Sequence, residues 1–411
     1  MSFYNNNIKC VEIQPVSYQQ NYRVEFRLDE DKLYLSNLRL CNVGVFQPDG
    51  GEALNSLVGC LSSIKSISLL DGSETLDTIQ NFNLYAGFRC YNRTNDENIG
   101  QNHYLKQNNM GFINNGSINQ TGGVKVVSLR DDIDNEENED ETPKSWIALT
   151  DYFNFLEASE YIPTNVFKRF RIVIEYDTSV INVVPSGGNP VKTTTPFLVA
   201  DFVDNDETVG RILSNWNGID YRPYENSAVR LNAIEPTVGN PNPVQSQTFT
   251  INGYNDKSIE RLLLIKEPLV STSAKLGTLG SQGQYLEKVQ YNINGANLLQ
   301  GEGLTSRNMT LGMLYDLYGD CNNIAPNGYI AESGNYITAT GYENRLEYSA
   351  VHIGDYVQNF QMRYSRSGQY DDAGGDQKTK QSNQALNLQL YAEVRKRLSV
   401  NNDGSYSINY V

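Results

Sequence analysis

Period-two alternation of apolar and polar positions dominates the chain, and helical periodicity is scarce. Tyr22-Arg23-Val24-Glu25-Phe26-Arg27-Leu28 alternates without error, and Phe170 to Tyr176 does so apart from Val173. Tyr356, Gln358, Phe360, Met362 and Tyr364 share one face of a further run, and Leu386 to Val394 alternates over nine residues. Successive strand side chains point to opposite faces, so each run reads as a strand with one core face and one polar face. Half-polar strands indicate antiparallel sheets rather than the continuous apolar strands of a doubly wound fold. The expected helices are short: Trp146–Glu160 and Leu311–Leu317. The fold class is all-β.

The chain also repeats itself. Residues 23–40 and 248–265, at an offset of 225, both read as an alternating strand, a polar turn with Asp-Lys (Asp31-Lys32, Asp256-Lys257) and a second apolar strand. Residues 67–88 and 290–312, at an offset of 223, both run a strand into a turn dipeptide, Asp71-Gly72 or Asn294-Gly295, and on through a polar connection into another strand. Such dipeptides suit tight turns with positive φ. Two matches in the same order at nearly equal offsets point to an internal duplication.

Each half holds roughly eight strand candidates, the number of an eight-stranded jelly roll. The expected division is an N-terminal arm (1–20), a first jelly roll (21–210), a linker (211–245), a second jelly roll (246–404) and a C-terminal tail (405–411). The linker takes in the Pro/Gly-rich Glu235-Pro236-Thr237-Val238-Gly239-Asn240-Pro241. The tail places Tyr406, Ile408 and Tyr410 on one side. Four long polar stretches, 91–123, 131–142, 322–347 and 365–383, are the candidate apical loops.

Composition narrows the function. The 411 residues carry a net charge of −15, which argues against a nucleic-acid module that needs a basic stripe. No window of eighteen residues is continuously apolar, and the first residues lack the basic and apolar regions expected of a signal peptide. Five cysteines (Cys10, Cys41, Cys60, Cys90, Cys321) show no zinc spacing and read as reduced thiols, so the sequons at Asn92, Asn115, Asn119 and Asn308 are expected to stay unglycosylated. Two histidines, His103 and His352, are too few for a His-rich metal centre.

Catalytic strings are missing. No G-x-S-x-G, H-E-x-x-H or phosphate loop occurs, Gly277, Gly280 and Gly283 lack a strand–turn–helix context, and the acidic run from Asp131 lacks the glycine and terminal Glu of a calcium loop. No catalytic, cofactor-binding or metal residue is assigned, and no cofactor. Basic clusters at Lys168-Arg169-Arg171 and Arg395-Lys396-Arg397 flank strong strands, as charged strand ends that oppose edge pairing or as a patch facing a polyanion.

Two β-barrels with long loops, no catalytic inventory, and the segments Ser62–Gly72, Tyr161–Asp177, Ile259–Ile265 and Tyr285–Gln300 resemble a double jelly-roll major capsid protein of a small tailless double-stranded DNA virus, of the polinton-like and virophage kind. The resemblance implies two tandem eight-stranded antiparallel jelly rolls and a homotrimeric, pseudo-hexagonal capsomer that tiles an icosahedral virion. It implies neighbouring capsomers, penton and minor capsid proteins as partners, no specific nucleic-acid binding, and synthesis in the host cytoplasm; membrane contact is left open. A minor virion protein that binds a receptor or glycan at a vertex is the alternative. A two-barrel carbohydrate-active enzyme is a third reading.

Overall fold

The computed structural model of the chain describes residues 7–43, 45–47, 61, 63–93, 112–114, 146–178, 192–193, 195–269, 285–305, 307–318, 329–330, 336–337, 348–372, 375–379, 383–401 and 403–411. The chain forms two compact units. The first is built from Met1–Cys90, Asp96–Tyr224 and Lys396–Val411, and the second from Tyr91–Asn95 and Glu225–Arg395.

The main strands of the first unit are β1 (Ile8–Ile13), β2 (Arg23–Arg27), β3 (Arg39–Cys41), β4 (Ile64–Asp71), β5 (Glu74–Gln80), β6 (Trp146–Ala148), β7 (Phe170–Tyr176) and β8 (Phe197–Val203). One sheet runs β1-β8-β3-β6 and the other β2-β7-β4-β5, with every one of these pairings antiparallel. Leu33–Leu35 and Tyr161–Pro163 continue the first sheet, and Ser17–Gln19 borders the second. Alternation puts Phe26, Ile172 and Leu69 in one row across three strands, each with no exposed surface. Burying a side chain of that size is worth about 1.5–3 kcal/mol.

The second unit repeats the order. Its strands are β9 (Tyr224–Leu231), β10 (Val244–Thr250), β11 (Lys257–Pro268), β12 (Tyr285–Ile293), β13 (Ala296–Asn297), β14 (Tyr348–Val357), β15 (Phe360–Ser367) and β16 (Leu386–Val394). They form the sheets β9-β16-β11-β14 and β10-β15-β12-β13. Numbered within its own unit, each set gives 1-8-3-6 and 2-7-4-5, the strand order of a jelly roll. The inner face packs Leu262, Leu264, Leu388 and Leu390 from one sheet with Tyr291, Phe360, Met362 and Tyr364 from the other. The duplication extends to helices: α1 (Phe82–Arg93) follows the fifth strand of the first unit, and α4 (Arg307–Tyr318) follows that of the second, 225 residues on. Between them in the chain lie α2 (Asn154–Ala158) and α3 (Asp206–Asn215).

Several expectations need correction. Residues 8–13, expected in an arm, are the first jelly-roll strand; β1 lies at a sheet edge with no buried residue, so selection for alternation is weak. The linker 211–245 contains the end of α3, a strand at Gly218–Tyr221 and all of β9. The second unit closes at Arg395 rather than at 404, because Lys396–Val400 pairs with Gly218–Tyr221 and with Tyr406–Tyr410 in the first unit. The tail is therefore a strand of that unit. Trp146–Glu160 is not one helix: β6 pairs with β3, a 3-10 turn spans Leu149–Asp151, and only α2 is helical. The run Tyr356–Tyr364 breaks at Gln358-Asn359 into β14 and β15, so Tyr356 is exposed while Phe360, Met362 and Tyr364 are buried. β16 has both faces buried instead of one. Of the candidate loops, 131–142 lies outside the described residues, as do most of 91–123 and 322–347.

Candidate functional site

Among the described residues no group of three or more His, Cys, Asp or Glu is placed to hold a metal ion. His103, Cys60 and Cys321 lie outside them. His352 is exposed on β14 opposite Arg261, beside Gly354. Cys10 is exposed, with the Arg39 guanidinium 3.9 Å from its sulfur, and burial pushes the Cys41 thiol up to about 11. A thiol held that high is a poor nucleophile.

The buried charges serve the architecture. Arg261 on β11 pairs with Glu393 on β16 at 2.6 Å, and Glu393 is 1% exposed. The same guanidinium donates to the Leu317 carbonyl at the end of α4 and lies 4.4 Å from the Tyr318 ring, so it ties helix to sheet. Lys266 on β11 pairs with Glu287 on β12, joining the two sheets of the second unit. Arg366 is wholly buried and donates to Gln245 and to the Asn232 carbonyl.

An open polar groove of about 340 Å³ lies on the outer face of the sheet β10-β15-β12-β13. Thr248, Gln361, Arg363, Ser365 and Asn292 line it. Gln290 fixes its rim by donating to the Leu299 and Gly301 carbonyls, and Lys288 pairs with Glu302 across it. Hydroxyls, amides and one guanidinium suit a polar partner; the lining has no aromatic ring and no nucleophile–base pair.

The basic clusters do not form one polyanion patch. Arg395 pairs with Glu260 in the second unit, Arg397 forms a two-pronged pair with Asp220, and Arg171 pairs with Glu25 in the first. Lys168 and Arg169 alone stay exposed without an ion pair among the described residues. Strand pairing across distant sequence makes these bonds, so the residue runs gave no sign of them.

The C-terminal strand is anchored by Tyr406, whose hydroxyl donates to Asp71 at 2.9 Å and whose ring meets Phe167 edge-on at 5.2 Å. Near this strand pair lies Asp77 on β5, 3% exposed. One carboxylate oxygen accepts from the Phe155 amide at 3.1 Å, and the other has no partner among the described residues. Burial pushes its carboxyl up to about 7, against the pull of the Phe155 N–H and of Lys396.

Solved viral shell proteins share this architecture. Over 100% of its length the chain matches 99% of PBCV-1 VP54, in a crystal structure fitted into a reconstruction of the virophage Sputnik, with TM-score 0.64 and 9% identity. The mavirus major capsid protein matches over 100% of this chain and 91% of its own, with TM-score 0.51 and 9% identity. The faustovirus major capsid protein matches over 98% and 93%, with TM-score 0.50 and 10% identity. No family model and no curated protein matches the sequence. The fold is that of the double jelly-roll capsid proteins.

Proposed function

We propose that the chain is a major capsid protein, three copies of which form a pseudo-hexagonal capsomer that tiles an icosahedral virus shell. The observation that carries this reading is one strand order used twice in a single chain, matched along its whole length by viral capsid proteins. Three chains with two barrels each supply six barrels, so threefold symmetry meets roughly sixfold neighbours. Barrels leave few open sheet edges, and a net charge of −15 keeps concentrated protein apart in solution. The partners are neighbouring capsomers, penton proteins and minor capsid proteins. The chain is made in the host cytoplasm, resides in the virion capsid, binds no specific nucleic acid and carries out no enzymatic step.

A minor virion role in receptor or glycan binding is the second reading, favoured by the hydroxyl- and amide-lined groove around Thr248 and Gln361. Light scattering on the purified chain separates the two when combined with a glycan array. The shell reading expects a species of three times 46.2 kDa and no saturable glycan binding. A persistent monomer that binds a glycan saturably overturns it.

A further inference from the structure

Helix α3 is amphipathic yet buries nothing. Val209, Ile212, Leu213 and, just past its end, Trp216 fall at i, i+3, i+4 and i+7, one face of a helix, and each is only half-buried. The opposite face is exposed, with Asp206, Glu207, Gly210, Arg211 and Ser214. A Cβ added at Gly210 meets nothing within 4 Å. Arg211 lies near Tyr161 of its own unit, whereas Asp206 and Glu207 have no ion-pair partner among the described residues.

At the other end of the helix, Trp216 packs edge-on against Phe167 with ring centroids 5.8 Å apart. The two residues after Phe167 are Lys168 and Arg169, the exposed cations left over from the basic cluster. One strip of the first unit thus carries two carboxylates at one end and two cations beyond the other. A ten-residue helix, about 15 Å long, separates them.

We infer that this strip is a two-fold contact between copies of the chain, an inference that rests on the capsid reading. A two-fold axis midway between the two charged pairs turns the strip end for end. Asp206 and Glu207 of one copy then face Lys168 and Arg169 of the other, and the same match recurs on the far side of the axis, as an isologous interface requires. A threefold capsomer needs a second kind of contact to cover a surface, and a self-complementary strip supplies it with one patch.

A charge swap on the full chain tests this by sedimentation velocity at low salt. Asp206→Lys with Glu207→Lys, or Lys168→Glu with Arg169→Glu, is expected to weaken association between capsomers by about tenfold or more while leaving the trimer intact. All four changes together are expected to restore association to within about threefold of the parent chain. The contact is overturned if either double variant associates like the parent, or if the fourfold variant stays as weak as the doubles. A parent chain that never trimerises overturns the capsid reading itself, and the contact with it.

Discussion

Asp31 and Asp256, 225 residues apart, adopt the same left-handed backbone conformation, with φ of 57° and 60°. Asp31 stands at the turn into Leu33–Leu35 and Asp256 at the turn into β11, and each turn is tied to the end of the strand paired with it, Tyr161–Pro163 or β14. The Thr164 amide donates to the Lys32 carbonyl at 2.9 Å, and the Asp256 amide donates to the Val357 carbonyl at 2.7 Å. Left-handed geometry costs an ordinary L-residue roughly 1–2 kcal/mol, which Asp tolerates better than a β-branched side chain. Replacing either Asp by Val is therefore expected to cost about 1–2 kcal/mol in urea denaturation, and replacement by Gly to be neutral within about 0.5 kcal/mol.

Asp77 makes stability depend on pH in a direction opposite to most carboxylates. Its ordinary value is 3.8, and burial in the folded state raises it to about 7. The folded chain therefore holds this proton more tightly than the unfolded chain. The resulting stabilisation is full below about pH 4 and lost as pH rises through about 7. Asp77→Asn keeps an acceptor for the Phe155 amide and removes the buried charge. Thermal denaturation is expected to show the variant more stable than the parent at pH 8, by up to about 4 kcal/mol, and nearly equal to it at pH 4.

Arg261 and Glu393 form a pair in which one partner is almost wholly buried. Arg261→Ala leaves that carboxylate without its cation and is expected to cost about 3–5 kcal/mol. Changing both residues to Met is expected to recover most of the loss. Chemical denaturation of the two variants checks this, because a pair of little structural weight would leave the single variant near the parent.

Tyr406 holds the returning C-terminal strand through one hydrogen bond and one ring contact. Tyr406→Phe removes only the bond to Asp71 and is expected to cost about 0.5–1.5 kcal/mol. Tyr406→Ala also removes the ring against Phe167 and is expected to cost about 3 kcal/mol or more. Hydrogen exchange over Lys396–Tyr410 should rise in the same order.

Legibility in the sequence follows how local each interaction is. β7 was readable because Ile172 and Ile174 face the core while Arg171 and Glu175 do not. The repeat was readable because Asp31 and Asp256, or Gly72 and Asn294-Gly295, need positive φ, which few residue types supply. The corner at Gln358-Asn359 was hidden. A two-residue turn preserves the parity of the alternation, and its amides are held by Asn294 Oδ1 from a different hairpin, at 2.7 and 3.2 Å. The return of Lys396–Val400 to Gly218–Tyr221 was equally hidden, since nearly 180 residues separate the paired positions. The strip of α3 is hidden because the boundary between jelly roll and linker at 210–211 cuts through the helix, although Val209, Ile212 and Leu213 carry a helical spacing.

The most direct measurement is electron microscopy of the purified, assembled chain with class averages viewed down the symmetry axis. A capsid subunit with two jelly rolls predicts a threefold particle with six density maxima in a pseudo-hexagonal outline. Isolated particles with only two maxima at every concentration would contradict the account.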